Sequence, residues 1–301
     1  MTRGRWTALV AVVAFLAAIG GVFVGRVIIP GRHAQTSELH ALLHHDLKLD
    51  ADTLAGIFAG KITKWNDPAI AALNEGKTLP DVNITPIYRS DSSGTTDNFQ
   101  RFLENSAPAD WPYEHSKEFA PKGVGSGASK STGVGDTVKK TPGSITYVEW
   151  GFATENDLGV AQVDFGAGPV ELNAESAGNA LESLAFADPA SKDLVVDTNA
   201  LFASKAPGAY PLLLTPYSIV CSAGYEDEAT SQTLKDAFTA VLNDGQAGLE
   251  EIGYVPVPGL RPADDSALMA VASANVAVPE FIERDQPASE AQTQAMAAAQ
   301  V

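Results

Sequence analysis

The chain is poor in cysteine, with Cys221 as the only one among 301 residues. No disulfide can form within the chain, so an apolar core must hold the fold together. Cys221 follows an apolar run over residues 212–220, which favours a small buried side chain over a reactive thiol. Because proteins outside the cytoplasm need not contain disulfides, this scarcity does not identify a compartment.

Basic residues are also scarce: 20 lysines and arginines stand against 37 aspartates and glutamates, which gives a formal net charge of −17. The sequence has no basic cluster able to neutralise a nucleic-acid backbone, so nucleic acid is excluded as the expected partner. A small anion would also meet an unfavourable overall field. Any anion site must therefore act locally, through backbone N–H groups and an arginine.

The N-terminus carries an apolar run over residues 6–24, preceded by Arg3 and Arg5. Its length is close to the ~20 residues that cross a bilayer, and the preceding positive charge predicts a cytoplasmic start and an exported remainder. A cleaved signal peptide, which would release the chain into the periplasm or the medium, is the alternative. The run is long for such a peptide, and no clear cleavage site follows it. We therefore predict an uncleaved membrane anchor over residues 1–30, with the globular part outside the cytoplasm.

Residues 31–46 form a polar junction that contains four of the five histidines: His33, His40, His44 and His45. On a helix, three of these would share a face, which is compatible with a metal site. A solvated segment beside the membrane is the simpler interpretation, since no carboxylate or cysteine pattern completes a ligand set. We predict no metal site and no cofactor. At the other end, residues 284–301 are rich in Ala and Gln, lack an apolar face and are predicted to be disordered.

From Leu47 onward, strand patterns alternate with helix patterns, which is typical of an α/β layer fold. A short helix is predicted after Asp50 or Asp52, and a second one begins at Asn66-Asp67-Pro68, where a capping side chain is followed by a proline in the first turn. Further strands are predicted over residues 82–88, 143–150 and 210–221, and further helices over residues 95–103 and 227–243.

The segment richest in polar chemistry is the loop RSDSSGTT at residues 89–96, between a predicted strand and a predicted helix. A helix N-terminus leaves several backbone N–H groups without partners, and its dipole favours negative charge. Arg89 would add a planar fork for a tetrahedral oxyanion, and Ser93 and Thr95 would add hydroxyl donors. Asp91 suits such a site only if it pairs with Arg89. The local pattern fits an ordinary N-cap with a surface arginine equally well.

This loop, followed by Phe99, closely resembles that of the phosphate-specific substrate-binding proteins of ABC transporters, the PstS type. The resemblance continues in family order over about residues 46–275. Its further segments are LDADTLAGIFAGKITKWNDPAI at 49–70, TPGSITYVE at 141–149, YPL at 210–212 and YVPVP at 254–258. Several segments in the right order are far more specific than a single loop.

The resemblance implies roles for particular residues. The positions of the family's phosphate ligands are occupied by Arg89, Ser93, Gly94 and Thr95. Asp91 corresponds to the carboxylate that pairs with the arginine. Ser92 departs from the family, which usually has glycine there; a serine is compatible if its φ is negative. The glycine-rich loop over residues 123–127 corresponds to one that borders the family's cleft, although a surface loop without ligand contact fits as well.

The resemblance also implies a periplasmic-binding-protein type II-like α/β fold, in which two domains clamp the ligand. Residues 47–209 correspond to a largely complete domain two, and residues 210–283 to the returning strand and helix of a domain one that is mostly missing. A real truncation, a misplaced start and a split reading frame are all compatible with this. The missing part includes an Asp that accepts the proton of hydrogen phosphate. The missing half of the clamp predicts weaker affinity, because an oxyanion held from one side stays hydrated on the other. The missing Asp predicts weaker selectivity over sulfate, because a buried acceptor repels a ligand that has no proton to donate.

The expected function is extracytoplasmic phosphate binding for an ABC-type import system, weakened by the loss of domain one. Its expected partners are inorganic phosphate and the permease subunits, with a second polypeptide as a candidate source of the missing domain. A degenerate interaction protein of the transporter that binds no ligand is the alternative. A phosphatase-like enzyme is less favoured, because His115 is the only histidine outside the N-terminal junction and no nucleophile–base pair is evident. We predict no catalytic residue.

Overall fold

A computed structural model describes residues 18–24, 47–156, 158–182, 184–188, 195–215, 228–242, 244–249, 251 and 253–255. The predicted polar junction at 31–46 and the predicted tail at 284–301 lie outside these residues. The strands are β1 (Ala18–Val24), β2 (Lys48–Asp50), β3 (Thr85–Arg89), β4 (Ser126–Ala128), β5 (Ser144–Glu149), β6 (Gly159–Val160), β7 (Gln162–Asp164), β8 (Pro169–Val170) and β9 (Leu213–Leu214). The helices are α1 (Ala51–Phe58), α2 (Pro68–Leu73), α3 (Gly94–Ser106), α4 (Lys130–Lys140), α5 (Trp150–Glu155), α6 (Ala174–Glu182), α7 (Thr198–Phe202) and α8 (Glu228–Leu242), followed by a short 3₁₀ turn at Asp244–Gln246.

The main sheet has six strands in the order β4-β3-β5-β1-β6, with β9 beside β1. β3 is parallel to both β4 and β5, whereas β1 is antiparallel to its three neighbours. A smaller sheet of three strands has the order β2-β7-β8. Because α4, α3 and α5 follow β4, β3 and β5, their N-termini meet at the carboxyl edge of the parallel strands, where open α/β sheets bind ligands.

The capped helices are found where the sequence predicted them. Asp50 caps α1 by accepting a hydrogen bond from the N–H of Thr53 at 2.8 Å, and the Thr53 hydroxyl accepts from the N–H of Asp50 at 2.9 Å. Asp67 caps α2, with Pro68 in the first turn. The helix predicted over residues 227–243 is α8. Of the strand predicted over residues 210–221, Leu213 and Leu214 are in a strand, and residues beyond 215 lie outside the described ranges.

β1 differs from the membrane anchor predicted over residues 1–30. Gly21 lies opposite Val148 and Val24 opposite Ile145, so this part of the apolar run is a strand beside β5. A strand in the middle of a sheet can be as continuously apolar as a membrane span, so the pattern alone does not separate the two. Residues 1–17 and 25–30 are outside the described part. Among the residues that the structure describes, no helix has the length and apolar character that a membrane crossing requires.

β1 also pairs with β9, with Ala18 opposite Leu214. The returning strand therefore has a sheet neighbour within this chain, and a second polypeptide is not needed to pair it.

Aromatic side chains in the core fix α3 against β5. The ring of Phe99 stacks on that of Tyr147 with centroids 4.5 Å apart, and Phe58 packs edge-on against Phe99 at 4.8 Å. All three side chains are buried. Such ring pairs add specific geometry to the burial of large apolar surfaces. The first turn of α3 is thereby held at a defined distance from the end of β5.

Candidate functional site

The loop over residues 89–96 lies at the carboxyl end of β3, between the starts of α3 and α4. Arg89 is opposite Ala128 in the parallel pairing of β3 with β4, and the N–H of Ser90 donates to the carbonyl oxygen of Ala128 at 3.0 Å. This pairing brings residues 129–131 beside the loop. The sequence did not identify them, because Gly133 and Gly135 interrupt the helix pattern of α4. A Cβ at Gly135 would come within 2.4 Å of the Phe152 ring, so that ring would have to shift.

Arg89 and Asp91 form a two-pronged ion pair. The Arg89 Nε donates to Asp91 Oδ1 at 2.9 Å and the Nη2 to Oδ2 at 2.6 Å. The Arg89 side chain is 14 % exposed and that of Asp91 33 %. The hydrogen bond from Arg89, together with one from the backbone N–H of Lys130, holds the pKa of Asp91 well below its usual range. The same hydrogen bond to Asp91 raises the pKa of Arg89.

The rest of the Arg89 environment joins the loop to α4 and β5. The Nη1 of Arg89 lies 3.5 Å from the Ser131 hydroxyl, at the long limit of a hydrogen bond, and its backbone N–H is 3.4 Å from the Tyr147 hydroxyl. Lys130, whose N–H reaches Asp91, has a φ of 60°, a left-handed conformation that side chains other than glycine rarely adopt. Such strain recurs at binding sites, where surrounding contacts impose it.

The first turn of α3 keeps its N-terminal N–H groups largely uncapped. Ser93 is the N-cap in extended conformation, but its side chain makes no capping hydrogen bond. The first bond along the helix runs from the N–H of Asp97 to the carbonyl oxygen of Ser93 at 3.1 Å, so the N–H groups of Gly94, Thr95 and Thr96 precede it. The N–H of Ser93 donates instead to the carbonyl oxygen of Lys117 at 3.0 Å. The serine side chain therefore does not perform the ordinary capping that the local pattern also allowed.

Two threonine hydroxyls connect this turn to β5. The Thr95 Oγ1 donates to Glu149 Oε1 at 3.0 Å, and the Thr96 Oγ1 lies 2.8 Å from the Tyr147 hydroxyl. Burial raises the pKa of Tyr147 to about 12, so its hydroxyl stays neutral. The sequence did not single out Glu149, because nothing local marks it: it stands at the end of a strand, 54 residues from Thr95.

Asp91 offsets much of the positive charge of Arg89 at the loop, and Glu149 adds a negative charge beside it. Glu149 acts electrostatically on both Arg89 and Tyr254, and burial is the larger cause of the raised pKa of Tyr254. A tetrahedral anion would therefore be held by backbone dipoles and the remaining donors of the guanidinium, and less by net charge. This arrangement suits reversible anion binding.

The Arg89–Asp91 pair predicts a specific pH dependence of stability. Because the folded pKa of Asp91 is depressed, its contribution is present above the unfolded value of about 4 and is lost as the pH falls through the folded value. We expect the difference in unfolding free energy between the wild type and Asp91→Asn to be constant above about pH 5 and to shrink below about pH 4. Urea denaturation at a series of pH values measures it.

The control for this prediction is Asp81→Asn. Asp81 forms an exposed pair with Lys64 at 2.6 Å, with side chains 66 % and 51 % exposed. Such pairs contribute at most about 1 kcal/mol, so the control should differ little from the wild type at any pH. A difference for Asp91→Asn that is flat across the acid range would contradict the strength of the Arg89–Asp91 pair.

Comparisons with known proteins identify relatives of the whole segment around this site. A family model described as the PBP superfamily domain matches residues 28–243. Phosphate-binding protein PstS 3 of Mycobacterium tuberculosis is 43 % identical over 214 residues, which cover 70 % of this chain and 57 % of that protein. Phosphate-binding protein PstS of Xylella fastidiosa is 35 % identical over 216 residues, with the same two shares covered. The chain thus spans 57 % of the length of these relatives.

A solved structure shows the same fold. The phosphate-binding protein of Stenotrophomonas maltophilia aligns with a TM-score of 0.53 and 18 % identity, covering 86 % of this chain and 69 % of that one. The predicted resemblance to PstS-type proteins and the predicted periplasmic-binding-protein-like α/β fold are confirmed.

Proposed function

The chain belongs to the PBP superfamily, and on that premise we propose that it binds inorganic phosphate at the loop over residues 89–96. It does so as the ligand-binding component of an ABC-type phosphate importer. In this role the globular part is outside the cytoplasm and its partners are the permease subunits. The proposed phosphate ligands are Arg89, Ser93, Gly94 and Thr95, with Asp91 holding the guanidinium.

One observation carries this proposal. A guanidinium fixed by a bidentate carboxylate lies beside the first turn of a helix whose N-cap side chain leaves the turn uncapped. The fixed fork offers planar donors, and the helix start offers backbone N–H groups and a favourable dipole. Both suit an oxyanion better than a cationic ligand.

Phosphate is proposed rather than another oxyanion because the relatives are named as phosphate-binding proteins. Those relatives are also the reason for proposing binding without turnover. The geometry and the comparisons concern the same residues. The Arg89 fork and the uncapped helix turn lie within residues 28–243, which the family model matches.

The test is isothermal titration of inorganic phosphate into the full-length chain. We expect saturable binding of a single phosphate per chain, with a Kd below about 1 mM, equivalent to about −4 kcal/mol or more favourable. A titration without heat or saturation up to about 1 mM would contradict the proposal. If such a chain still co-purified with a permease, the non-binding interaction role would replace it. Release of phosphate from a monoester would instead indicate an enzyme.

A further inference from the structure

Glu149 stands beside the proposed anion site without being one of its expected ligands. It ends β5, the strand next to β3, and its charge acts on Arg89. A negative side chain so near an anion site repels the anion, so its presence there calls for a compensating role. What it contacts indicates that purpose.

The carboxylate of Glu149 fixes the direction of the Thr95 hydroxyl. A threonine hydroxyl has a single proton, and an ionised carboxylate can only accept. At 3.0 Å from Glu149 Oε1, the Thr95 Oγ1 therefore donates its proton to Glu149. What Thr95 offers to a ligand at the helix start is then a lone pair, together with its backbone N–H group.

The second oxygen of the Glu149 carboxylate supports the same direction of the Thr95–Glu149 hydrogen bond. Glu149 Oε2 is buried and has no hydrogen-bond partner among the described residues. Buried polar atoms without partners are rare in native proteins, and each one calls for an explanation. Because no donor among the described residues binds Oε2, the negative charge of the carboxylate is not reduced by a second hydrogen bond. Glu149 therefore remains a strong acceptor for the Thr95 hydroxyl.

We propose that Glu149 is a positioning residue that makes the site select a protonated oxyanion, by taking the Thr95 proton and turning that hydroxyl into an acceptor. This inference rests on the proposed function. Hydrogen phosphate can donate its own proton to the Thr95 Oγ1. Sulfate has no proton to donate at neutral pH, so its oxygen would face a lone pair and lose a hydrogen bond. The site thus contains a basis for selectivity within this chain.

The experiment measures the affinities of phosphate and sulfate for full-length wild type and Glu149→Gln. In the variant the carboxamide can donate to Thr95, so the threonine proton is free to turn toward the ligand. We expect the ratio of phosphate to sulfate affinity to fall about tenfold, which is equivalent to about 1.4 kcal/mol. The fall should come from weaker phosphate binding and stronger sulfate binding together.

Arsenate and selenate extend the test, since they separate protonation from size. Arsenate keeps a proton like phosphate and should follow it, whereas selenate has none and should follow sulfate. A purely structural role for Glu149 would not sort the four anions by protonation. The matched control is Glu155→Gln, which removes the same charge from the exposed end of α5; its ratio should equal that of the wild type.

The outcomes separate this inference from the proposed function. If the wild type binds no phosphate, the proposed function fails and the inference fails with it. If the wild type binds phosphate but Glu149→Gln changes the ratio by less than about threefold, or weakens both anions equally, only the inference is overturned. Should Glu149→Gln not fold by circular dichroism, Thr95→Val serves instead. It removes the acceptor itself, and a ratio within about threefold of the wild type would then overturn the inference.

Discussion

Replacing Arg89 with alanine should reduce phosphate affinity at least about 100-fold, the largest effect of any side chain in the loop. Hydrogen bonds to charged groups contribute about 1.5–3 kcal/mol each, and the variant removes all the guanidinium donors that Asp91 leaves for the ligand. It also leaves Asp91 without its partner at the helix start, because both carboxylate oxygens accept from Arg89. The unpaired negative charge would then repel the ligand. Isothermal titration measures the loss.

Two further variants test whether the loss of affinity is specific to the Arg89 guanidinium. Arg89→Lys keeps the positive charge but cannot form the two-pronged contact with Asp91, so we expect it to recover only a small part of the affinity. Arg101→Ala removes the arginine of α3, whose partners are Thr198 and Asp97 at 3.2 and 3.4 Å. It should bind phosphate as the wild type does. An equal loss in Arg89→Ala and Arg101→Ala would indicate damage to the helix, and unchanged affinity in Arg89→Ala would exclude this loop.

Features that depend on neighbours in sequence could be predicted. The caps at Asp50 and Asp67 were predictable because a capping side chain bonds within three residues of itself. The Arg89–Asp91 pair could likewise be predicted, since the two residues are two positions apart at the end of a strand. The predicted helix over residues 95–103 lies within α3 for the same reason, since its apolar residues recur at helical spacing.

Features that depend on residues distant in the sequence could not be predicted. Glu149 meets Thr95 only because β5 pairs with β3, and no local pattern reports that pairing. The sequence pattern does not predict α4 because its two glycines weaken the helix pattern, and the close packing of Phe152 on Gly135 is a tertiary contact. β1 was assigned to a membrane anchor because hydropathy does not reveal whether backbone groups bond within a helix or to adjacent strands.

The largest expected effect on stability is at Gly125, in the loop before β4. Gly125 has a φ of +66°, and a Cβ there would lie 1.9 Å from the carbonyl oxygen of Pro86, a backbone atom of β3. No rotamer change relieves such a contact, so β3 or β4 must move. We expect Gly125→Ala to lower the unfolding free energy by about 3–5 kcal/mol, through strain at positive φ and the displaced strand together. Urea denaturation followed by circular dichroism measures this.

Gly123→Ala is the matched control, because it isolates the backbone cost. Gly123 also has a positive φ, +75°, but a Cβ there would have nothing within 4 Å. We expect a loss of only about 1–2 kcal/mol from its left-handed conformation. Equal losses in the two variants would contradict the close approach of the loop to Pro86. Since β4 is paired with the end of β3 at Arg89, Gly125→Ala should also weaken phosphate binding in molecules that remain folded, whereas Gly123→Ala should not. Stability and ligand affinity are coupled here through one strand pairing, which places Arg89 beside α4.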